Sequence, residues 1–277
     1  MKQAQLAYFR VCAILLVLFF SPAVGLAQFS QLDHLAAQLE KEVMPLNPQL
    51  IAVADFRSAD GTATPQGHYF AWIISSALQH RAKKKFSVAN HKNFDGDLSK
   101  LHLPVALVPG DTLQTAAPEI GADIIVTGSI ERSRDSYVLH ITPVRLSDGK
   151  ASETLSQTIV VNEFLDSMVT PFPEDVYNAA KKNYREQASM PACIYCPDPT
   201  YNDLGRRERV QGESVFEVLI SAQGVAERLR PIRLLGYGLD EQAFNAIKKW
   251  KFKPATAKAD GRPIAVIAPI EVTFRLY

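Results

Sequence analysis

The cysteines, the histidines and a few glycine- and carboxylate-rich steps are the residues whose types and spacing could do chemistry. Cys193-Ile194-Tyr195-Cys196 is the densest of these sets. A redox dithiol of this spacing needs its first cysteine at a helix start, where the dipole lowers the thiol pKa. Pro191 and Pro197 bracket the pair and argue against a helix there. A zinc site needs two more ligands, and the remaining cysteine, Cys12, lies in an apolar amino-terminal run. That leaves a small-loop disulfide between Cys193 and Cys196, pinning a linker to the last part of the chain. His34, His68, His80, His91, His102 and His140 fall into no metal-ligating spacing, so neither a metal nor another cofactor is expected. Ser75-Ser76 lacks the elbow of a nucleophilic serine. Gly236-Tyr237-Gly238 lacks the third glycine and the lysine of a phosphate loop and reads as a turn leading into a helix. Asp95-Gly96-Asp97 lacks the later ligands of a calcium loop and reads as a plain turn. No catalytic constellation emerges, so the chain reads as non-enzymatic. An enzyme would require a polar cluster in the first domain that sequence separation hides.

The chemistry left is that of the backbone. Ile264, Val266, Ala268, Ile270, Val272, Phe274 and Leu276 alternate with Glu271, Thr273 and Arg275, the pattern of a half-buried strand. Leu239, Ala243, Ile247 and Trp250 mark one face of a helix over 239–250. Asp240 and Glu241 at its start and Lys248, Lys249 and Lys251 at or past its end suit the helix dipole. Pro254 stops the helix, and Asp260-Gly261 is a turn. Upstream, 201–210 reads as a short helix. Residues 213–221 read as a strand with Phe216, Val218 and Ile220 on one face and Val215, Glu217 and Leu219 on the other. Gln223-Gly224 turns the chain into a returning strand over 225–235. Pro231 gives that strand no ladder donor, so it belongs at an edge or a bulge. Pro269 in the last strand argues the same way. The predicted sheet order is returning strand, first strand, last strand, with the helix across one face. The last strand is then an open edge, whose unpaired N–H and C=O groups an extended peptide can complete. The candidate contact residues are Ala268, Ile270, Glu271, Val272, Thr273, Phe274, Arg275 and Tyr277. Glu271 and Arg275 lie on the solvent side, where they can select a peptide, while Ile270, Val272 and Phe274 have core side chains. Trp250 and Phe252 read as core.

The rest of the chain must position that edge. Of 277 residues, 47% are hydrophobic and 21% charged, ordinary for a globular chain of one large or two medium domains. The net charge of +1 gives no sign of a nucleic-acid partner, and none is expected. Lys2 and Arg10, the apolar run 11–20, the Ser21-Pro22 break and Gly25-Leu26-Ala27 have the order of a secretory signal, residues 1–27. The rival reading is an uncleaved membrane anchor over 11–27. Cleavage would leave 28 basic residues, 30 less Lys2 and Arg10, against 29 acidic ones. Residues 28–47 hold a helix over 31–43, capped by Ser30 and striped by Leu32, Leu35, Leu39 and Val43. Residues 48–165 read as an α/β domain with a mixed sheet. Its elements are a strand at 50–56, an amphipathic helix at 67–85, a strand at 86–89, a loop at 92–111 and a short helix at 112–120. An antiparallel meander of strands at 123–132, 137–146 and 154–161 closes it. Residues 166–196 are a linker with a polar helix over 174–186, striped by Val176, Ala179 and Ala180, and residues 197–277 form the last domain. The fold class is α+β.

The string LDEQAFNAIKKWKFKPA, a spacer, DGRPIAV and the closing PIEVTFRLY resemble the carboxy-terminal domain of the TonB family. The likeness extends upstream through YNDLGRRERVQGESVFEVLISAQGVAERLRPIRLLGYG, so it covers 197–277. It implies a three-stranded antiparallel sheet with two helices, and a protein partner whose short segment adds as a strand at the positions matching 268–277. That partner would be a TonB-dependent outer-membrane receptor or another envelope protein. A second copy of the chain is a further occupant to weigh. The resemblance also implies an alternative, a transport energiser held by an uncleaved amino-terminal anchor. Two departures count against force transmission: no histidine precedes His34, and a folded domain stands where the family has a proline-rich spacer. The family's Tyr-Pro pair is Tyr201-Asn202 here. Residues 48–165 resemble, on IAVADF, GADIIVTGSIERS and element order, the amino-terminal domain of TolB and FlgO-like envelope proteins.

Overall fold

Leu32, Leu35, Ala36, Leu39 and Val43 recur at helical spacing, and all are buried along helix α1, Ala23–Val43. The computed structural model describes residues 23–83, 85–89, 121–184 and 188–276, with side chains from residue 30 onward. Helix α1 begins at Ala23, so Ser30 lies inside it rather than capping it. Pro22 is the last residue before the stripe that forbids a helix, and nothing in 23–29 stops one. The run 11–20, the loop at 92–111 with Asp95-Gly96-Asp97, the helix at 112–120, His91, His102 and Tyr277 lie outside the described residues.

Strand β1 (Leu50–Val53) is shorter than its apolar run. Phe56 N–H leaves the sheet for the Gly67 carbonyl (3.4 Å) under helix α2, Pro65–Ala82. Helix α2 starts at Pro65, ahead of Gly67. The Thr64 hydroxyl accepts from Gly67 N–H (3.0 Å), and Pro65 occupies the first turn, where no N–H is needed. Strands β2 (Ser87–Val88), β3 (Ile124–Arg132), β4 (Ser136–Arg145) and β5 (Leu155–Val160) complete a mixed sheet ordered β2-β1-β3-β4-β5. Strand β1 runs parallel to both neighbours and the meander is antiparallel. Helices α1 and α2 cover it.

The linker holds more order than its composition implies. Asn162 caps a short helix α3, Glu163–Ser167, by accepting from Leu165 N–H (2.9 Å). Helix α4 covers Glu174–Lys182, and it docks by Ala180 and Tyr177 while Val176 stays exposed. Strand β6 (Ala192–Tyr195) carries the first cysteine and pairs antiparallel with β9, Lys251–Lys253.

The last domain is α5 (Asp203–Arg207), β7 (Gly212–Ile220), β8 (Ala226–Arg233), α6 (Leu239–Ile247), β9, the short pair β10 (Ala255–Thr256) and β11 (Pro263–Ile264), and β12 (Val266–Phe274). Its main sheet is ordered β12-β7-β8, as the two prolines predict. Pro231 sits beside a register shift on edge strand β8. Phe216, Val218 and Ile220 face α6, whose Leu239, Ala243 and Ile247 are buried.

The two cores are continuous. Phe164 on α3 meets Tyr69 of α2 (ring centroids 5.3 Å) and Phe244 of α6 (5.7 Å), both edge-on. Gly236 has φ +88°, and a Cβ there would come within 2.7 Å of the Trp72 ring, so a side chain would force the seam apart.

Candidate functional site

Strand β12 lies antiparallel to β7 from Val266 opposite Ile220 to Phe274 opposite Gly212, without a bulge. Two hydrogen bonds fix which way its backbone groups point. Leu276 N–H turns toward the β7 side and donates to Gln211 Oε1 (3.3 Å). The Ala265 carbonyl turns the other way and accepts from Asn183 Nδ2 (3.0 Å). Backbone groups alternate along an antiparallel strand. Residues 266, 268, 270, 272 and 274 therefore bond β7, and 267, 269, 271, 273 and 275 point their N–H and C=O groups outward. Pro269 falls in the outward set, where its missing N–H costs the ladder nothing.

Side chains follow the other alternation. Ala268, Val272 and Phe274 are buried, Ile270 is half-buried, and Glu271, Thr273 and Arg275 are exposed. Val272 and Phe274 thus offer neither side chain nor backbone to a partner, because their amides serve β7. Among the described residues no strand pairs with the outer margin of β12. Helix α4 covers only its start, where Phe172, Ala180, Leu219 and Ile267 form a small second core. The open stretch is therefore 269–275. The opposite margin, β8, is blunted by Pro231 and its bulge, two devices that make an edge a poor template.

Helix α4 is held by Glu217, which accepts from Arg230 and lies 3.5 Å from Lys181 Nζ. Burial works against ionisation of Glu217, but the bond and charge of Arg230, then Lys181, carry its carboxyl below the usual range. The far end of β12 is anchored by Tyr201, whose ring meets Phe274 edge-on (5.3 Å) and whose hydroxyl donates to Val210 O (2.8 Å). Asn202 accepts from Gly205 N–H (2.7 Å) and donates to Tyr237 O (2.7 Å), so it caps α5 and ties down the turn before α6.

Asp240 and Glu241 are not exposed dipole partners. Asp240 is fully buried and accepts from Ser214 Oγ (2.6 Å), Leu235 N–H (2.7 Å) and Gly236 N–H (2.8 Å). Burial pushes its carboxyl up to about 6 against these bonds. Glu241 is 6% exposed and accepts from Asn162 Nδ2 across the domain seam (2.6 Å); burial raises it to about 7. Their helical position gave no sign of this, since Asp240 is bound by Ser214, Leu235 and Gly236 of its own domain and Glu241 by Asn162 of the first. Lys248 with Glu163 and His80 with Glu208 also bridge the seam.

The Gly236-Tyr237-Gly238 turn has positive φ at all three residues and leads into α6, as its sequence implies. Cys193 and Cys196 form a disulfide (S–S 2.09 Å). It closes a loop at the end of β6 rather than joining the linker to the domain. The joining is done by β9, which pairs with β6, and by Ser189 N–H, which donates to Thr256 O (2.8 Å). His68 pairs with Asp55 (2.9 Å), and no cluster among the described residues could hold a metal ion.

The fold is a mixed-sheet α/β unit joined to a small antiparallel module whose two edge strands, among the described residues, are β12, left open, and β8, blunted by Pro231 and a bulge. Residues 197–276, the second unit, match the family model of the Gram-negative bacterial TonB protein C-terminal. Protein TonB of Vibrio cholerae serotype O1 is 33% identical over 79 residues, which are 28% of this chain and 32% of that protein. The chain thus spans about a third of the length of the curated relative it matches. Among solved structures, E. coli LpoB aligns with 48% of this chain and 68% of its own at 11% identity and a TM-score of 0.38. TolB from Acinetobacter baumannii aligns with 79% of this chain and 38% of its own at 12% identity and a TM-score of 0.26. No helix among the described residues is long and apolar enough to cross a membrane.

Proposed function

We propose that this is an exported, non-enzymatic protein of the periplasm whose last domain takes up an extended segment of an outer-membrane receptor or another envelope protein by strand addition. The observation that carries it is the backbone parity of β12. Glu271, Thr273 and Arg275 direct N–H and C=O outward along an open, bulge-free stretch, while the other margin is blunted. An incoming strand completes those groups by main-chain bonds, and Glu271 and Arg275 bias its charge. The match of 197–276 to the TonB C-terminal model supports the same reading.

Amide hydrogen exchange of the full chain tests it, with a synthetic peptide from the periplasm-facing extended segment of a candidate receptor. Added peptide should protect the amides of Glu271, Thr273 and Arg275 and leave Val272 and Phe274 unchanged. Thr273→Pro should weaken binding about tenfold, the order of one lost main-chain bond. Protection confined to the β8 margin or to the first domain would defeat the proposal.

A further inference from the structure

Where the first domain meets the blunted margin β8, the seam opens into a crevice of about 360 Å³. That volume is at the small end of the range of ligand pockets, which favour domain interfaces. One wall comes from the first turns of α2, with Pro65, His68 and Trp72, and from Met168 just past α3. The other wall is the end of β8, from Arg230 to Leu234. Trp72 is held in place. Its ring lies against Gly236, and its carbonyl accepts from Ser76 Oγ (2.8 Å). The bulge on β8 shapes the opposite wall. Arg233 pairs with Val215 and Pro231 with Phe216, so Ile232 is the inserted residue. A bulge re-aims the side chain it inserts. Ile232 accordingly lines the crevice and stays 53% exposed. Pro65 and Pro231 add rings without an N–H donor, so both walls are largely apolar.

The charge at the crevice is of one sign. Arg230 and Arg233 line it, and among the described residues no carboxylate does. His68 is held by Asp55 (2.9 Å). Arg230 is fixed: a terminal nitrogen donates to Glu217, and the guanidinium lies over the Phe172 ring (5.6 Å). Arg233 is half-exposed, and its bond to Glu213 (2.8 Å) is a surface pair of the kind worth little. Its planar fork can therefore turn to a carboxylate, for which its geometry is matched. We propose that this crevice binds a small carboxylic acid with an apolar body. The body, one ring or a short alkyl chain, lies between Trp72 and Ile232, and the carboxylate is taken by Arg233. The crevice lies at the margin of the sheet opposite β12, so this inference does not rest on strand addition.

3-Phenylpropanoate is the probe, titrated into the ¹⁵N-labelled full chain. Trp72 and Trp250 are the two tryptophans, and Trp250→Phe assigns their indole N–H signals. The Trp72 signal should move and that of Trp250 should stay, with a Kd of about 0.1–1 mM, the order expected of so small a ligand. Acetate lacks the body and 3-phenylpropanamide lacks the charge, and each should bind at least about tenfold more weakly. Arg233→Gln should weaken 3-phenylpropanoate about tenfold and leave the amide within about twofold. Ile232→Asp sets a like charge at the lip of the crevice and should weaken the acid at least about tenfold; the side chain is exposed, so the fold should persist. A Trp72 signal unmoved by about 20 mM probe, or one that moves together with that of Trp250, overturns the site. Equal affinities for acid and amide, or an equal loss of both in Arg233→Gln, overturn the recognition of a carboxylate by Arg233.

Discussion

At the residue scale the two carboxylates that open α6 are the least expected feature. Sequence places Asp240 and Glu241 at a helix start and asks no more of them than charge. The structure buries both, one against Ser214 and two amides, the other against Asn162 of the neighbouring domain. Tyr69 shares that seam, and burial, then the charges of Glu241 and Asp240, push its hydroxyl up. A carboxyl whose folded pKa is raised stabilises the fold fully below its ordinary value and loses that contribution as pH rises through the folded value. For Glu241 the window runs from 4.5 to about 7. Its share of the stability lost between about pH 5 and 8 is on the order of 2–3 kcal/mol. Glu241→Gln keeps an acceptor for Asn162 without the charge, so the variant should be the more stable of the two near pH 8. Above about pH 7, one unit past the value to which Asp240 is raised, that carboxyl has mostly ionised, and the stability of the variant should hardly change with pH. Urea titrations at several pH values decide this, and parallel pH slopes in both proteins would show that Glu241 does not carry the effect.

At the scale of elements, strands with strict alternation were legible in the sequence and their edges were too, because proline reports backbone pairing as well as side-chain pattern. Pro231 and Pro269 together gave the order β12-β7-β8. The parity of Pro269 also marks the outward set, a signal present in the sequence but usable only once the strand's neighbour is known. What composition hides is order borrowed from elsewhere. Helix α3, the docking of α4 and the pairing of β6 depend on partners far along the chain, and a linker read by itself shows only prolines and polar residues. Parity makes a prediction that side-chain reasoning does not. Val272→Pro removes a donor from the β7 ladder and leaves a buried carbonyl unpaired, and should cost about 1–3 kcal/mol beyond its effect on packing. Thr273→Pro removes an outward donor and should cost about 1 kcal/mol or less, as edges tolerate proline. Chemical denaturation of the two variants compares them directly, and equal losses would mean that the strand's inward and outward residues have been assigned wrongly.

At the scale of the whole molecule, the two units read from the sequence as beads joined by a linker do not have separate cores. Sequence could not reveal this, because the contacts that join them pair residues far apart in the chain, and the first-domain members, Tyr69, Asn162, Glu163 and Phe164, belong to no motif. Tyr69, Phe164, Phe244 and Phe216 form a run of aromatic contacts from the first domain into the second, with centroid separations of 5.3, 5.7 and 6.3 Å. Phe164 is its middle member, 2% exposed, on a helix of five residues. Burial of this kind makes the domains one cooperative unit, so the intact chain should unfold in a single transition. Truncating Phe164 to alanine leaves a cavity where the two cores meet and should cost about 3–5 kcal/mol. It should also divide the transition. Trp72 lies in the first domain and Trp250 in the second, so chains retaining one tryptophan each report on one half. In the Phe164→Ala background the two reporters should melt at different denaturant concentrations, and in the parent background at the same one. Coincident curves in both would locate the coupling in the polar bridges, Asn162 with Glu241 and Lys248 with Glu163, rather than in the aromatic run. A coupled molecule also holds the open margin of β12 at a fixed angle to the first domain, so a strand added there is presented in one orientation.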